Sequence, residues 1–121
     1  MRKRTAGRGD EAAAGFPADR RHEKNMNETL CRAIQEKRVL ELRYHGYSRI
    51  VEPHVYGRNK KEEEMLRCYQ LAGGSDSGER AGWKMLKVDD TFLVHLTETQ
   101  FLPRPDYQPE DKVIVDVFAR I

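Results

Sequence analysis

No window of this chain approaches the run of about 18 apolar residues that a membrane-crossing helix needs, so no membrane partner is expected. The start, "MRKRTAGRGDEAAAGFPADRRHEKN", lacks the apolar central region of a secretory signal, which makes the cytoplasm the default compartment. Cysteine is scarce. Cys31 and Cys68 sit in apolar contexts without CxxC spacing and read as reduced, buried thiols rather than a redox pair. His22, His45, His54 and His95 are scattered, and none shares ligand spacing with a cysteine or carboxylate, so neither metal nor cofactor is expected.

Charge is what the chain has in plenty: 35% of its 121 residues are charged and 38% hydrophobic. That length holds one domain around a single core. The net charge of +2 is unevenly placed, because residues 1–24 carry seven Lys/Arg against four acids and leave −1 for the remainder. This first stretch is rich in Ala, Gly and Arg and too poor in large apolar residues to bury a core. It reads as a disordered basic leader, or an over-extended gene start; a basic arm can also attract nucleic acid without sequence preference. Residues 25–121 form the single domain.

A helix is expected from near Asn27, capped by Asn25 or Asn27, with Leu30, Ala33 and Ile34 as its apolar stripe. From Val39 the period changes to two, with Leu40, Leu42 and Tyr44 on one face, and "HGYS" supplies a turn. A second strand over about Arg49–Tyr56 contains Pro53, which calls for an edge position or a bulge. "GRNKKEEE" reads as a solvated hairpin loop before a strand at Met65–Ala72, and "GGSDSGERAG" as a mobile connection. "WKMLKV" and "TFLVHL" add two strands around Asp89-Asp90. The end, "PRPDYQPEDKVIVDVFARI", has the β-branched residues of a strand. However, Pro109-Glu110-Asp111 suits a first helical turn, and Val113, Ile114, Val117, Phe118 and Ile121 fit one helical face, which favours a C-terminal helix. The fold class is therefore mainly β (α+β), a small antiparallel barrel between two helices.

"LCRAIQEKRVLELRYHGYSRIVEPHVYG", "LRCYQLAG" and "GWKMLKVDD" together resemble the WYL domain in its short stand-alone bacterial form. The matching features are the helix-to-strand entry "AIQEKRVLEL", the Arg49-x-Val51-x-Pro53 signature, Leu66 with Tyr69, and Trp83-Lys84 leading to Asp89. The resemblance covers roughly residues 28–105 in order and spacing. It implies an Sm-like, SH3-type β-barrel serving as a ligand-sensing or nucleic-acid-associated module of bacterial transcription regulation. Three features depart from the family pattern. Residues 1–24 cannot form a winged helix-turn-helix, the Trp-Tyr-Leu triplet is replaced by Met65-Leu66-Arg67-Cys68-Tyr69, and Asp90 stands where a basic residue often follows the acidic turn.

With that resemblance, Arg49, His54, Arg67, Tyr69, Trp83 and Lys84 are the candidate ligand-binding residues. A guanidinium at Arg49 can hold a carboxylate or phosphate through two parallel hydrogen bonds, or simply pair with Glu41 or Glu52. Glu52 and His54 share a strand face, as do Arg67 and Tyr69, and a Glu-His pair could do acid–base chemistry on RNA or be ordinary cross-strand pairing. Trp83 can stack on a base or fill a core rim, and Lys84 can add charge or lie exposed. Tyr44 and Tyr69 are expected half-buried. The leading expectation is a non-enzymatic module that binds an anionic small molecule or single-stranded nucleic acid. The alternatives are a module for self-association or for a regulator protein, and a small RNase-like enzyme.

Overall fold

The computed structural model of the chain describes residues 28–121, so the leader at 1–24 and the expected caps Asn25 and Asn27 lie outside the described residues. Helix α1 (residues 28–35) buries Leu30, Ala33 and Ile34, the expected stripe. It stops at Lys37, whose φ of 53° turns the chain into strand β1, Arg38–Tyr44. His45 and Gly46, both left-handed at φ 51° and 83°, make the two-residue turn into β2, Tyr47–Arg58. The remaining strands are β3 (Glu64–Gly73), β4 (Gly82–Lys87), β5 (Thr91–Gln100) and β6 (Asp116–Arg120), with a 3-10 turn at Val88–Asp90 between β4 and β5.

Among the described residues the protein is thus mostly β: one antiparallel sheet of six strands and one short helix. The strand order is β4-β3-β2-β1-β5, with β6 added to β2. The sheet is not closed, because β4 and β5 end the order and do not pair. Strand β2 organises everything else. Its first half pairs β1, with Leu40 opposite Val51 and Leu42 opposite Arg49, and its second half pairs β6, with Val55 opposite Arg120. Pro53 falls where one neighbour has ended and the other has not begun, beside a register shift against β3 between Pro53 and Val55. A residue without an N–H is tolerated there because no second ladder needs it.

The expected C-terminal helix is not formed; the chain runs through a turn into β6 instead. Asp111 does accept the Val113 and Ile114 N–H groups at 2.8 and 3.0 Å, as a capping residue would. But Val115 then donates to the Arg58 carbonyl, and β6 satisfies the free edge of β2. Leaving that buried edge unpaired would cost more than the helical turns could return, and the β-branched Val113, Ile114, Val115 and Val117 favour the extended form. Gly57 permits the contact, since a Cβ there would lie 2.2 Å from the Asp116 carbonyl oxygen.

The main core joins Leu30 and Ile34 of α1 to Leu40, Leu42, Val51, Tyr56, Leu66 and Leu86. Cys68 is buried in it with its thiol pushed up to about 12 by burial, and both cysteines are free. Tyr44 departs from its half-buried expectation: it is buried, and its hydroxyl accepts the Lys87 N–H at 3.1 Å. The "GRNKKEEE" loop is solvated as expected, tightened by Asn59, whose Oδ1 accepts the Lys61 and Glu63 N–H groups.

Candidate functional site

The six candidate residues fall into two groups on opposite faces of β3 and β4, since Trp83 and Lys84 are consecutive and stand opposite Tyr69 and Cys68. Arg49 and Lys84 gather under the loop of residues 74–81, while His54, Arg67, Tyr69 and Trp83 gather under the segment 101–112.

Arg49 projects inward from β2 and is only 3% exposed. Its guanidinium lies 5.0 Å from the centre of the Tyr44 ring and 5.6 Å from that of Tyr47. Nη1 donates to Gln70 Oε1 at 3.4 Å and Nη2 to the Tyr44 carbonyl at 3.2 Å, both long contacts to neutral oxygens, and Nε has no acceptor. Neither Glu41 nor Glu52 pairs with it; Glu52 is taken by Arg104 at 2.8 Å. A buried cation without a carboxylate is costly, because two aromatic faces and two neutral oxygens replace only part of its hydration.

The enclosure around this guanidinium is built from small residues and a loop. Gly74 lies so close to Tyr47 that a Cβ there would sit 2.0 Å from the ring. Gln70, fully buried, holds both ends of the loop: its Nε2 donates to the Gly74 and Arg80 carbonyls at 3.1 and 2.9 Å. Lys84 fixes the middle by donating to Ser75 Oγ, Ser77 Oγ and the Glu79 carbonyl at 3.1, 3.4 and 2.9 Å. The glycine- and serine-rich connection is therefore tied down at several points.

On the other face His54 is fully buried. Its Nδ1 is 2.9 Å from the Glu52 carbonyl, and its Nε2 accepts the Arg104 N–H at 3.2 Å. That arrangement fixes the neutral ring with its proton on Nδ1. Burial lowers its pKa, outweighing the Glu52 carbonyl that raises it. With both nitrogens occupied and Trp83, Phe101 and Tyr107 around the ring, His54 has no lone pair to offer a substrate. Glu52 and Tyr69 stand opposite one another, and Tyr69 opposes Trp83. Arg104 bridges the first two, stacked 3.8 Å from the Tyr69 ring centre.

Arg67 is held by Asp111, whose side chain is 1% exposed. Burial pushes the Asp111 carboxyl up, but Arg67 and the Ile114 and Val113 N–H groups together hold it below the usual carboxylate range. Trp83 donates from Nε1 to Asp106 at 3.0 Å. Arg67, Trp83, Asp106, Tyr107, Glu110 and Asp111 line a cleft of about 550 Å³, in which the one guanidinium is already neutralised. Sequence reasoning missed Arg104, Asp106 and Asp111, which lie in a stretch partly read as helix. It also missed Tyr47, taken as a turn residue, and Gln70.

No group of three or more His, Cys, Asp or Glu among the described residues could hold a metal ion, and no helix there is long and apolar enough to cross a membrane. No protein-family model matches the chain, and no curated protein or solved structure matches it either.

Proposed function

We propose that this protein is a non-enzymatic, WYL-type regulatory module that binds an anionic ligand, a nucleotide or short single-stranded nucleic acid, through Arg49. The observation that carries the proposal is the buried guanidinium with an unused Nε–H and no carboxylate partner among the described residues. A phosphate would supply the missing charge and acceptor together. Tyr44 and Tyr47 offer faces for the cation and, at Tyr47, an exposed ring against which a base can stack. Lys84 adds a second cation behind the same loop, whereas Arg67, His54, Tyr69 and Trp83 are engaged by partners on the other face of the sheet. The bent sheet, with β2 shared between two neighbours, is compatible with an open Sm-like, SH3-type barrel.

The test is calorimetry with a dinucleoside monophosphate and a short oligodeoxythymidylate, comparing wild type with Arg49→Met. Saturable binding that weakens with added salt and vanishes in the variant is expected. Equal binding by Arg49→Met, or no binding by wild type, would refute the assignment. One observation favours a second reading, self-association: among the described residues β4 and β5 are unpaired sheet edges, and Phe92 and Leu93 on β5 are 50% and 73% exposed.

A further inference from the structure

His45 occupies the turn between β1 and β2, and its side chain reaches two other parts of the chain. Nδ1 lies 2.6 Å from Asp76 Oδ2 in the 74–81 loop, and Nε2 lies 3.4 Å from Asp90 Oδ2 in the 3-10 turn. The ring stacks on Tyr44 at 4.0 Å. Tyr44 in turn supplies both a ring face and a carbonyl to Arg49. A neutral imidazole has one N–H and one lone pair, so it can satisfy one carboxylate and must repel the other. Only the imidazolium serves both.

The loop that His45 holds packs on two of the groups that flank Arg49, Tyr47 and Gln70. Gly74 backs Tyr47, and Gln70 ties the loop's two ends to the guanidinium. The attachments made by Gln70 carry no titratable group. The His45 contact does.

Resting on the Arg49 reading above, we propose that the loop of residues 74–81 is a proton-controlled lid over Arg49, latched by His45 to Asp76 and Asp90. Full closure needs the imidazolium; losing that proton leaves a neutral ring that can hold Asp76 or Asp90 but not both, which removes the ionic tie between the loop and the 3-10 turn, lets the loop lift from Tyr47 and Gln70, and admits an anion. The sign follows from the contacts. The hydrogen bond that His45 donates to Asp76 raises its pKa, against a desolvation effect that lowers it, with Asp90 raising it further. The latch is therefore complete below the ordinary value of 6.5 and is lost as pH rises through the raised one. Asp76, Asp90 and the Tyr44 ring are the groups facing it.

Amide hydrogen exchange of residues 74–81, corrected for intrinsic rates, tests the latch without any ligand. Between about pH 5.5 and about pH 8 protection should fall several-fold in wild type. It should stay flat in His45→Asn, which tolerates the left-handed turn, and in Asp76→Asn. A dinucleoside monophosphate tests the gate, because its phosphodiester does not titrate in this range. Its association rate should rise with pH in wild type and be equally fast at both values in His45→Asn. Flat protection in wild type, or an unchanged pH response in both variants, overturns the latch. A pH-independent association rate alongside an intact latch overturns the gate. Loss of binding in Arg49→Met is a separate readout, so failure of the Arg49 reading is not confused with failure of the latch.

Discussion

Arg49 and His54 project from the same strand and are both buried, yet they solve burial in opposite ways. His54 sheds its charge and places both nitrogens in hydrogen bonds, whereas a guanidinium cannot deprotonate and Arg49 keeps a charge that its surroundings only partly answer. The difference has a consequence for pH. Because burial depresses the His54 pKa below 6.5, the unfolded chain takes up that proton before the folded one. Stability is then full above about 6.5 and falls as pH drops toward the depressed value, by at most about 1.4 kcal/mol per pH unit. Denaturant unfolding at neutral and mildly acidic pH reads this slope directly. The slope should flatten in His54→Gln, whose amide oxygen can still accept the Arg104 N–H. An unchanged slope would show that other groups control the acid side. His45 works in the opposite sense and in a higher window, so as pH falls the 74–81 loop should already be tightened when the fold as a whole begins to weaken.

At the scale of elements, β6 was the piece that local sequence described wrongly, and the reason is physical. Residues 109–121 satisfy a helical pattern by composition, and Asp111 caps as a helix would require. The deciding interaction is the second half of β2, more than fifty residues earlier, which has a backbone edge to fill. Nothing within the segment reports that need. Strands β1 to β5 and helix α1 were legible because alternation, the His45-Gly46 turn and the Pro53 irregularity are local signals. Gly57 is the position at which the β2–β6 contact can be broken singly. A methyl group there meets the Asp116 carbonyl at 2.2 Å and Ile114 Cγ2 at 2.7 Å, so Gly57→Ala should cost about 3 kcal/mol. It should also expose the Val117 to Ala119 amides to exchange while those of β1 stay protected. Unaltered stability would mean that β6 contributes little to the fold.

For the whole molecule, the spatial division of charge was invisible to the sequence. Composition gives residues 25–121 a net charge of −1, and six candidate residues were grouped on the strength of a family resemblance. Folding separates them. Arg67 is answered by Asp111 and Arg104 by Glu52, and Asp106, Glu110 and Lys112 line the cleft beside Trp83. The other face keeps Arg49 without a counter-charge among the described residues. Which cations are free depends on long-range partners, and no spacing rule supplies those. The candidate residues therefore do not share one surface.

The most direct measurement is the Nε–H resonance of the Arg49 guanidinium, assigned by its loss in Arg49→Lys and followed during titration with a dinucleoside monophosphate. If an anion completes this site, the resonance moves saturably as Nε–H gains an acceptor, while those of Arg67 and Arg104, already paired, stay in place. If Arg49 Nε–H remains fixed at concentrations that saturate the protein, the ligand binds elsewhere and Arg49 is a structural cation.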